Sequence, residues 1–233
     1  MQEPREILEK IALTRRNFAH MLKYKTANFA DARRRPMPNT SNELIQGYQR
    51  FAQRDDCGLY QEMLAGQHPH TLLFSCSDSR IVPEEIFDAR PGEIFVLRNV
   101  GNLALTDNVS VAAAIDYAVG HLHVKRVAIL AHQECGAVKA CLDKSCLHEK
   151  NLRSWLDQEA YEGEDSTAAI KAAGLRQLRR LEEYPLVQAT VAQGTLAVEL
   201  YYFHLADRSL LQYCDGQWIP QERFGDEQLK ING

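Results

Sequence analysis

Two short apolar runs in this chain stop abruptly at groups that bind metals and move protons. Leu72, Leu73 and Phe74 lead into Cys76-Ser77-Asp78-Ser79-Arg80, and Val127 to Ala131 leads into His132-Gln133-Glu134-Cys135-Gly136. Each run reads as a buried strand with its polar cluster at the strand end, which is where open α/β sheets place their ligands. His132 and Cys135, at i and i+3, can converge on one ion from a single turn. With Cys76 they make a Cys/His/Cys donor set, the pattern of a three-ligand zinc site. Three protein ligands leave one tetrahedral position free, and that free position separates a catalytic zinc from a structural one.

Asp78 and Arg80 stand two residues apart on the loop after the first run, within reach of a paired carboxylate–guanidinium hydrogen bond. In a structural role this is a salt bridge that stiffens a loop. Beside a metal, Arg80 keeps Asp78 ionised and aimed, so that Asp78 accepts a hydrogen bond from metal-bound water or hydroxide. Released from Arg80, the carboxylate could take the fourth position itself and shut the site. Cys57, Cys141, Cys146 and Cys214 read as structural or spare thiols. Cys141, Cys146 and His148 form a rival donor set in a polar stretch with no strand to hold it rigid.

The elements that position these groups alternate along the chain. A basic N-terminal helix carries Ile7, Ile11, Phe18, Leu22 and Phe29 on one stripe, with nine Lys/Arg against four Asp/Glu up to Arg35. A membrane or an acidic partner is one reading of its charge, a solvated face over a docking stripe the other. Pro36 and Pro38 end it in a linker. A helix over Asn42–Gln53 follows, with Leu44, Ile45, Tyr48 and Phe51 on its apolar side. After the strand at Thr71 come a short helix over Pro83–Phe87, a strand over Ile94–Leu97 and the polar loop Arg98-Asn99-Val100-Gly101-Asn102. Thr106 or Asp107 caps a helix with Val111, Ile115, Ala118 and Leu122 on one face. A strand over Lys125–Ala131 and a helix over Ala137–Leu142 follow. The polar helical region Glu149–Glu183 buries Leu152, Trp155, Leu156, Leu175, Leu178 and Leu181, and Leu186–Gln193 makes a further helix. The last long strand, Leu196–Leu205, turns at Asp207-Arg208 into a hairpin partner over Leu210–Cys214. The pattern predicts an α/β fold: a mixed, mainly parallel central sheet flanked by helices, with an antiparallel edge strand and an N-terminal helical arm. The expected organisation is an arm and linker over 1–40 and a single α/β zinc-enzyme domain over 41–233.

Composition bounds the function. In 233 residues, 45% hydrophobic and 25% charged with a net charge of −4, nothing marks a nucleic-acid partner. No apolar run approaches the length of a membrane span. Six cysteines at irregular spacing do not form a secreted disulfide framework, and no apolar signal core follows Met1. A cytoplasmic, reducing setting is expected, with a removed targeting segment as the alternative. The absence of a CxxC pair argues against a thiol redox protein.

Taken together, CSDSR at 76–80, RNVGN at 98–102 and HQECG at 132–136 resemble the β-class carbonic anhydrases, over about Asn42 to Gln217. The resemblance implies zinc on Cys76, His132 and Cys135, a dyad of Asp78 and Arg80, and reversible hydration of CO2 to bicarbonate by zinc-bound hydroxide. Gln67, Phe95 and Tyr117 match substrate-pocket positions of the plant-type subclass, and His121 matches a candidate proton shuttle; a loop Gln, two core aromatics and a helix-end His are their plain alternatives. Leu73 and Ser75 stand where another subclass carries a bicarbonate-binding Trp and Gly, so an open, water-bound zinc is implied. The family also implies a homodimer or a multiple of dimers, with the N-terminal helix embracing a neighbour and the pocket shared. Gly101 in place of the commoner Ala, and Glu199-Leu200 in place of His-Gly, are departures. A carbonyl sulfide or carbon disulfide hydrolase and a non-catalytic zinc scaffold are the rival functions.

Overall fold

Thr71–Cys76 (β1) is buried along its whole length, as a strand must be when it has neighbours on both edges and packing on both faces. It pairs in parallel with Ile94–Asn99 (β2) on one side and Arg126–His132 (β3) on the other. Ala197–Phe203 (β4) continues in parallel from β3, and Leu210–Cys214 (β5) and Gln217–Pro220 (β6) close the sheet as antiparallel strands. The order is β2-β1-β3-β4-β5-β6, the mainly parallel sheet with an antiparallel edge that the sequence predicts. β6 is an addition. Its signal lay in Asp215-Gly216, both at positive φ (48° and 83°), the two-residue Asp-Gly turn whose twist suits a hairpin.

The computed structural model describes residues 42–54, 57–143 and 148–221. The expected arm over 1–40 and Cys146 lie outside the described residues. The chain divides into two units between Gln61 and Glu62. The first holds Glu43–Ala52 (α1) and the start of Cys57–Met63 (α2). The apolar stripe predicted for α1 faces outward, with Leu44 89% and Tyr48 63% exposed. The second unit carries the sheet with Pro83–Ile86 (α3), Val109–Ile115 (α4), Gly136–Leu142 (α5), Lys150–Leu156 (α6), Ser166–Glu183 (α7) and Pro185–Ala192 (α8). No helix among the described residues is long and apolar enough to cross a membrane.

One sheet face stacks Leu72, Phe74, Val127, Ile129 and Leu200 on Ile115, Ala118, Leu181 and Val187. The opposite face packs Leu73, Ala128, Leu130 and Phe203 with Ile81, Ile86 and Phe87. Asn108, rather than Thr106 or Asp107, caps α4, its side chain accepting from Ser110 N and Val111 N. On α7 the buried stripe is Ala169, Ile170, Ala173, Gly174, Gln177 and Leu181, while Leu175 and Leu178 are half-buried. Glycine stands at 174 because Leu200 intrudes from β4: a Cβ on Gly174 would lie 3.1 Å from Leu200 Cδ1. Leu200 is thus accommodated by a glycine on the helix above it.

Candidate metal centre

Because β1 and β3 are adjacent but β2 intervenes in sequence, the chain reverses its winding direction between them, and ligands collect at such switch points. Cys76 is the last residue of β1 and His132 the last of β3. After His132 the ladder to β4 gains one more bond, Gln133 N–H to Phe203 O at 2.8 Å. Glu134 then takes φ 61°, and Cys135 becomes the residue before α5. This turn brings Cys135 back beside Cys76. Among the described residues, Cys76, His132 and Cys135 form the one buried donor group whose ligand atoms all lie within 4.8 Å of each other.

The geometry fits an ion. The two sulfurs are 3.9 Å apart, where a tetrahedral ion with sulfur bonds near 2.3 Å needs about 3.8 Å. His132 Nδ1 lies 2.9 Å from Gln133 O; a carbonyl only accepts, so Nδ1 carries the proton and Nε2 presents its lone pair. That Nε2 is buried with no hydrogen-bond partner, an orphan a metal would satisfy. Backbone N–H groups favour the thiolate forms, those of Asp78 and Gly101 at Cys76 and those of Val138 and Ala137 at Cys135. The Cys135 thiol beside it, ahead of the opposing cost of burial, pulls Cys76 down to about 4. The same contact and burial push Cys135 up. Two thiols this close share one proton until a cation replaces it.

Asp78 is not among these donors, because Arg80 holds it. Asp78 Oδ1 accepts from Arg80 N at 3.0 Å and Nε at 2.9 Å, and Oδ2 accepts from Nη2 at 2.7 Å. Arg80 Nη2 also donates to Glu134 O at 2.9 Å, tying the dyad to the His132–Cys135 turn. Hydrogen bonding to Arg80 holds the carboxyl down at about 2. Both lone pairs of Oδ1 are spent, and Oδ2 keeps one.

Arg98 is a site residue that motif reading quotes without a role. From the tip of β2 it donates to Cys76 O at 3.0 Å, Asp78 O at 2.9 Å and Ile81 O at 2.8 Å, shaping the whole CSDSR loop. Asn99 closes its own loop through Leu103 N and O, both at 2.7 Å. Asn102 donates to Leu130 O at 3.1 Å, just before the histidine. The signal for all three was a polar loop at a strand end.

Gln67, Phe95, Tyr117 and His121 do not join Cys76 within one chain. Phe95 pairs with Leu72, four residues and about 13 Å back along β1 from Cys76. Tyr117 and His121 lie on the π-turn Asp116–His121 that continues α4, held by Tyr184 Oη to Asp116 Oδ1 at 2.8 Å. Their rings form a ladder, Phe95 to Tyr117 at 5.9 Å and Tyr117 to His121 at 5.8 Å between centroids. Tyr117 is 44% exposed. Gln67 is exposed on the loop entering β1. The four residues thus sit toward the end of the sheet opposite Cys76, His132 and Cys135.

The model of the carbonic anhydrase family matches residues 71–210. A carbonic anhydrase of Synechococcus elongatus is 31% identical over 194 residues, covering 73% of this chain and 70% of the relative. The structure of the β-carbonic anhydrase CcaA superposes with a TM-score of 0.71 at 29% identity, over 77% of this chain and 91% of that one. The chain belongs to the β-class carbonic anhydrases. A structure from the ascomycete Sordaria macrospora, at 25% identity and a TM-score of 0.61, covers 74% of this chain and 92% of its own. The enzyme is therefore a carbonate dehydratase, catalysing reversible hydration of CO2 to bicarbonate. Each of these relatives is described as a carbonic anhydrase, which favours neither the sulfur-analogue hydrolase nor the inert scaffold.

Proposed function

We propose that the enzyme works with one zinc ion per chain on Cys76, His132 and Cys135, in a pocket completed by a second copy. The observation that carries this is the donor set itself: two sulfurs 3.9 Å apart facing an unpartnered, buried His132 Nε2. A zinc ion held by these three residues would lower the pKa of a bound water to about 7 and so supply hydroxide near neutral pH. The remaining steps belong to the chain. Asp78, kept ionised by Arg80, offers the free lone pair of Oδ2 to the attacking water and orients its oxygen toward carbon. Phe95 and Tyr117 give the uncharged substrate an apolar wall, and the Gln67 amide orients an oxygen of CO2 or bicarbonate. Addition of water to CO2 yields bicarbonate and one proton, which leaves through His121 or buffer.

The offset of about 13 Å along β1 between the row of Phe95 and Cys76 supports a shared pocket, in which one protomer supplies the ligands and dyad and its partner the ladder. The Sordaria enzymes are described as tetrameric, in keeping with a dimer or a multiple of dimers. The proposal includes an arm over 1–40, a catalytic domain over 41–233 and a cytoplasmic setting, where neighbouring Cys76 and Cys135 stay reduced. Substitution tests the roles. Cys76→Ala loses zinc and turnover together, whereas Asp78→Asn keeps zinc and loses turnover by about 100-fold or more. Unchanged turnover in Asp78→Asn removes the dyad from the mechanism.

A further inference from the structure

The far side of the loop that follows β2 rests on a segment with no part in the chemistry above. Trp155 Nε1 donates to Val100 O at 2.7 Å. A Cβ on Gly101 would meet Tyr161 Oη at 3.0 Å and Leu156 Cδ2 at 3.3 Å, so glycine at this position, φ 84°, lets the segment close on the loop. The buried Ala104 N–H donates to Gln177 Oε1 on α7 at 2.7 Å. Gln177, 2% exposed, turns its amide nitrogen to Glu159. The Glu159 side chain is fully buried and also pairs with Arg176 and Arg180.

A buried carboxylate is costly and persists only with a full set of donors. What this one contributes is polarity. A carboxylate only accepts and a backbone N–H only donates, so an amide between them has a single orientation: nitrogen toward Glu159, oxygen toward Ala104. Loop 99–104 is therefore pinned at its start by the Asn99 side chain and at its end by Gln177. Between the pins lies Gly101, which lines one cavity with His132, Cys135 and Gln177 and whose backbone N–H favours the Cys76 thiolate.

We propose that Glu159 and Gln177 are positioning residues for the metal centre: Glu159 fixes the Gln177 amide, Gln177 fixes Ala104, and the pinned loop holds Gly101 N–H on the Cys76 thiolate. The inference rests on Cys76 being a metal ligand. Donation to a thiolate withdraws charge from sulfur, so the network sets how strongly the site holds its ion, as outer partners of metal ligands do.

The test uses the full-length protein with cobalt(II) exchanged for zinc. The thiolate-to-cobalt charge-transfer band reads the charge on the sulfurs, and competition with a chelator reads zinc affinity. Glu159→Gln offers Gln177 a donor as readily as an acceptor, letting the Gln177 amide turn over against Ala104. The expected result is a displaced band and an affinity loss of about 10- to 100-fold. Combining Glu159→Gln with Gln177→Glu restores the polarity, because a carboxylate at 177 accepts from both Ala104 and the new amide; both readouts then return toward the parent values. Arg126→Ala, which removes the surface pair with Glu199, leaves both unchanged. A parental band and affinity in Glu159→Gln and in Gln177→Leu overturn the proposal, as does a double exchange no better than Glu159→Gln. Should Glu159→Gln fail to fold, Gln177→Leu and the double exchange carry the comparison. Neither readout involves CO2, so failure here is distinct from failure of the functional reading, which appears as a parent protein without zinc or turnover.

Discussion

His132 shows how much one ring settles: its Nδ1 is committed to Gln133 O, and this alone leaves Nε2 as the atom free to take a metal. Cys76, His132 and Cys135 were legible in the sequence because soft donors directly after apolar runs have few structural uses. Arg98 was not, since an arginine in a polar loop reads as solvent-facing until the three carbonyls it gathers are known. The rival set around Cys141 meets a chemical obstacle as well. Burial, and then Asp157, push the Cys141 thiol up to about 11, so it keeps its proton at neutral pH and is a poor ligand and nucleophile. Alkylation mapped to Cys141 should be slow at pH 8 and rise as pH approaches 11, and Asp157→Asn should move that rise to lower pH. Fast labelling of Cys141 at pH 8 contradicts this.

At the scale of elements, periodicity identified the strands because β1 and β3 are continuous apolar runs with sharp ends. It missed where they stop: β2 extends to Asn99 and β3 to His132, since backbone pairing continues under polar side chains. The fit of α7 over β4 was equally hidden, because it depends on a glycine opposite a leucine rather than on an apolar stripe. Gly174→Ala would ordinarily stabilise a helix by about 1 kcal/mol. Here the 3.1 Å approach to Leu200 makes it an overpacking change, with a net loss of about 1–2 kcal/mol in chemical denaturation. Adding Leu200→Val should recover most of that loss. A more stable Gly174→Ala protein would show that Leu200 moves aside freely.

At the scale of the molecule, the sequence could name Phe95, Tyr117 and His121 but not their distance from the ligands, which follows only from strand register. If a partner's ladder completes each pocket, Asp78→Asn and Tyr117→Ala damage opposite sides of it. A mixed dimer of the two then contains one pocket with both residues intact and one with neither. Mixing the two impaired proteins under conditions that exchange subunits should restore turnover, and a mixture no more active than its components argues that each chain works alone. In the proposed function, zinc on Cys76, His132 and Cys135 makes this chain an enzyme. This is tested most directly by stopped-flow CO2 hydration on samples of measured zinc content, from chelator-stripped to fully reloaded. Turnover should rise in proportion to zinc up to one ion per chain and be absent in Cys76→Ala; turnover that survives complete removal of zinc would show that the ion is not needed for the chemistry.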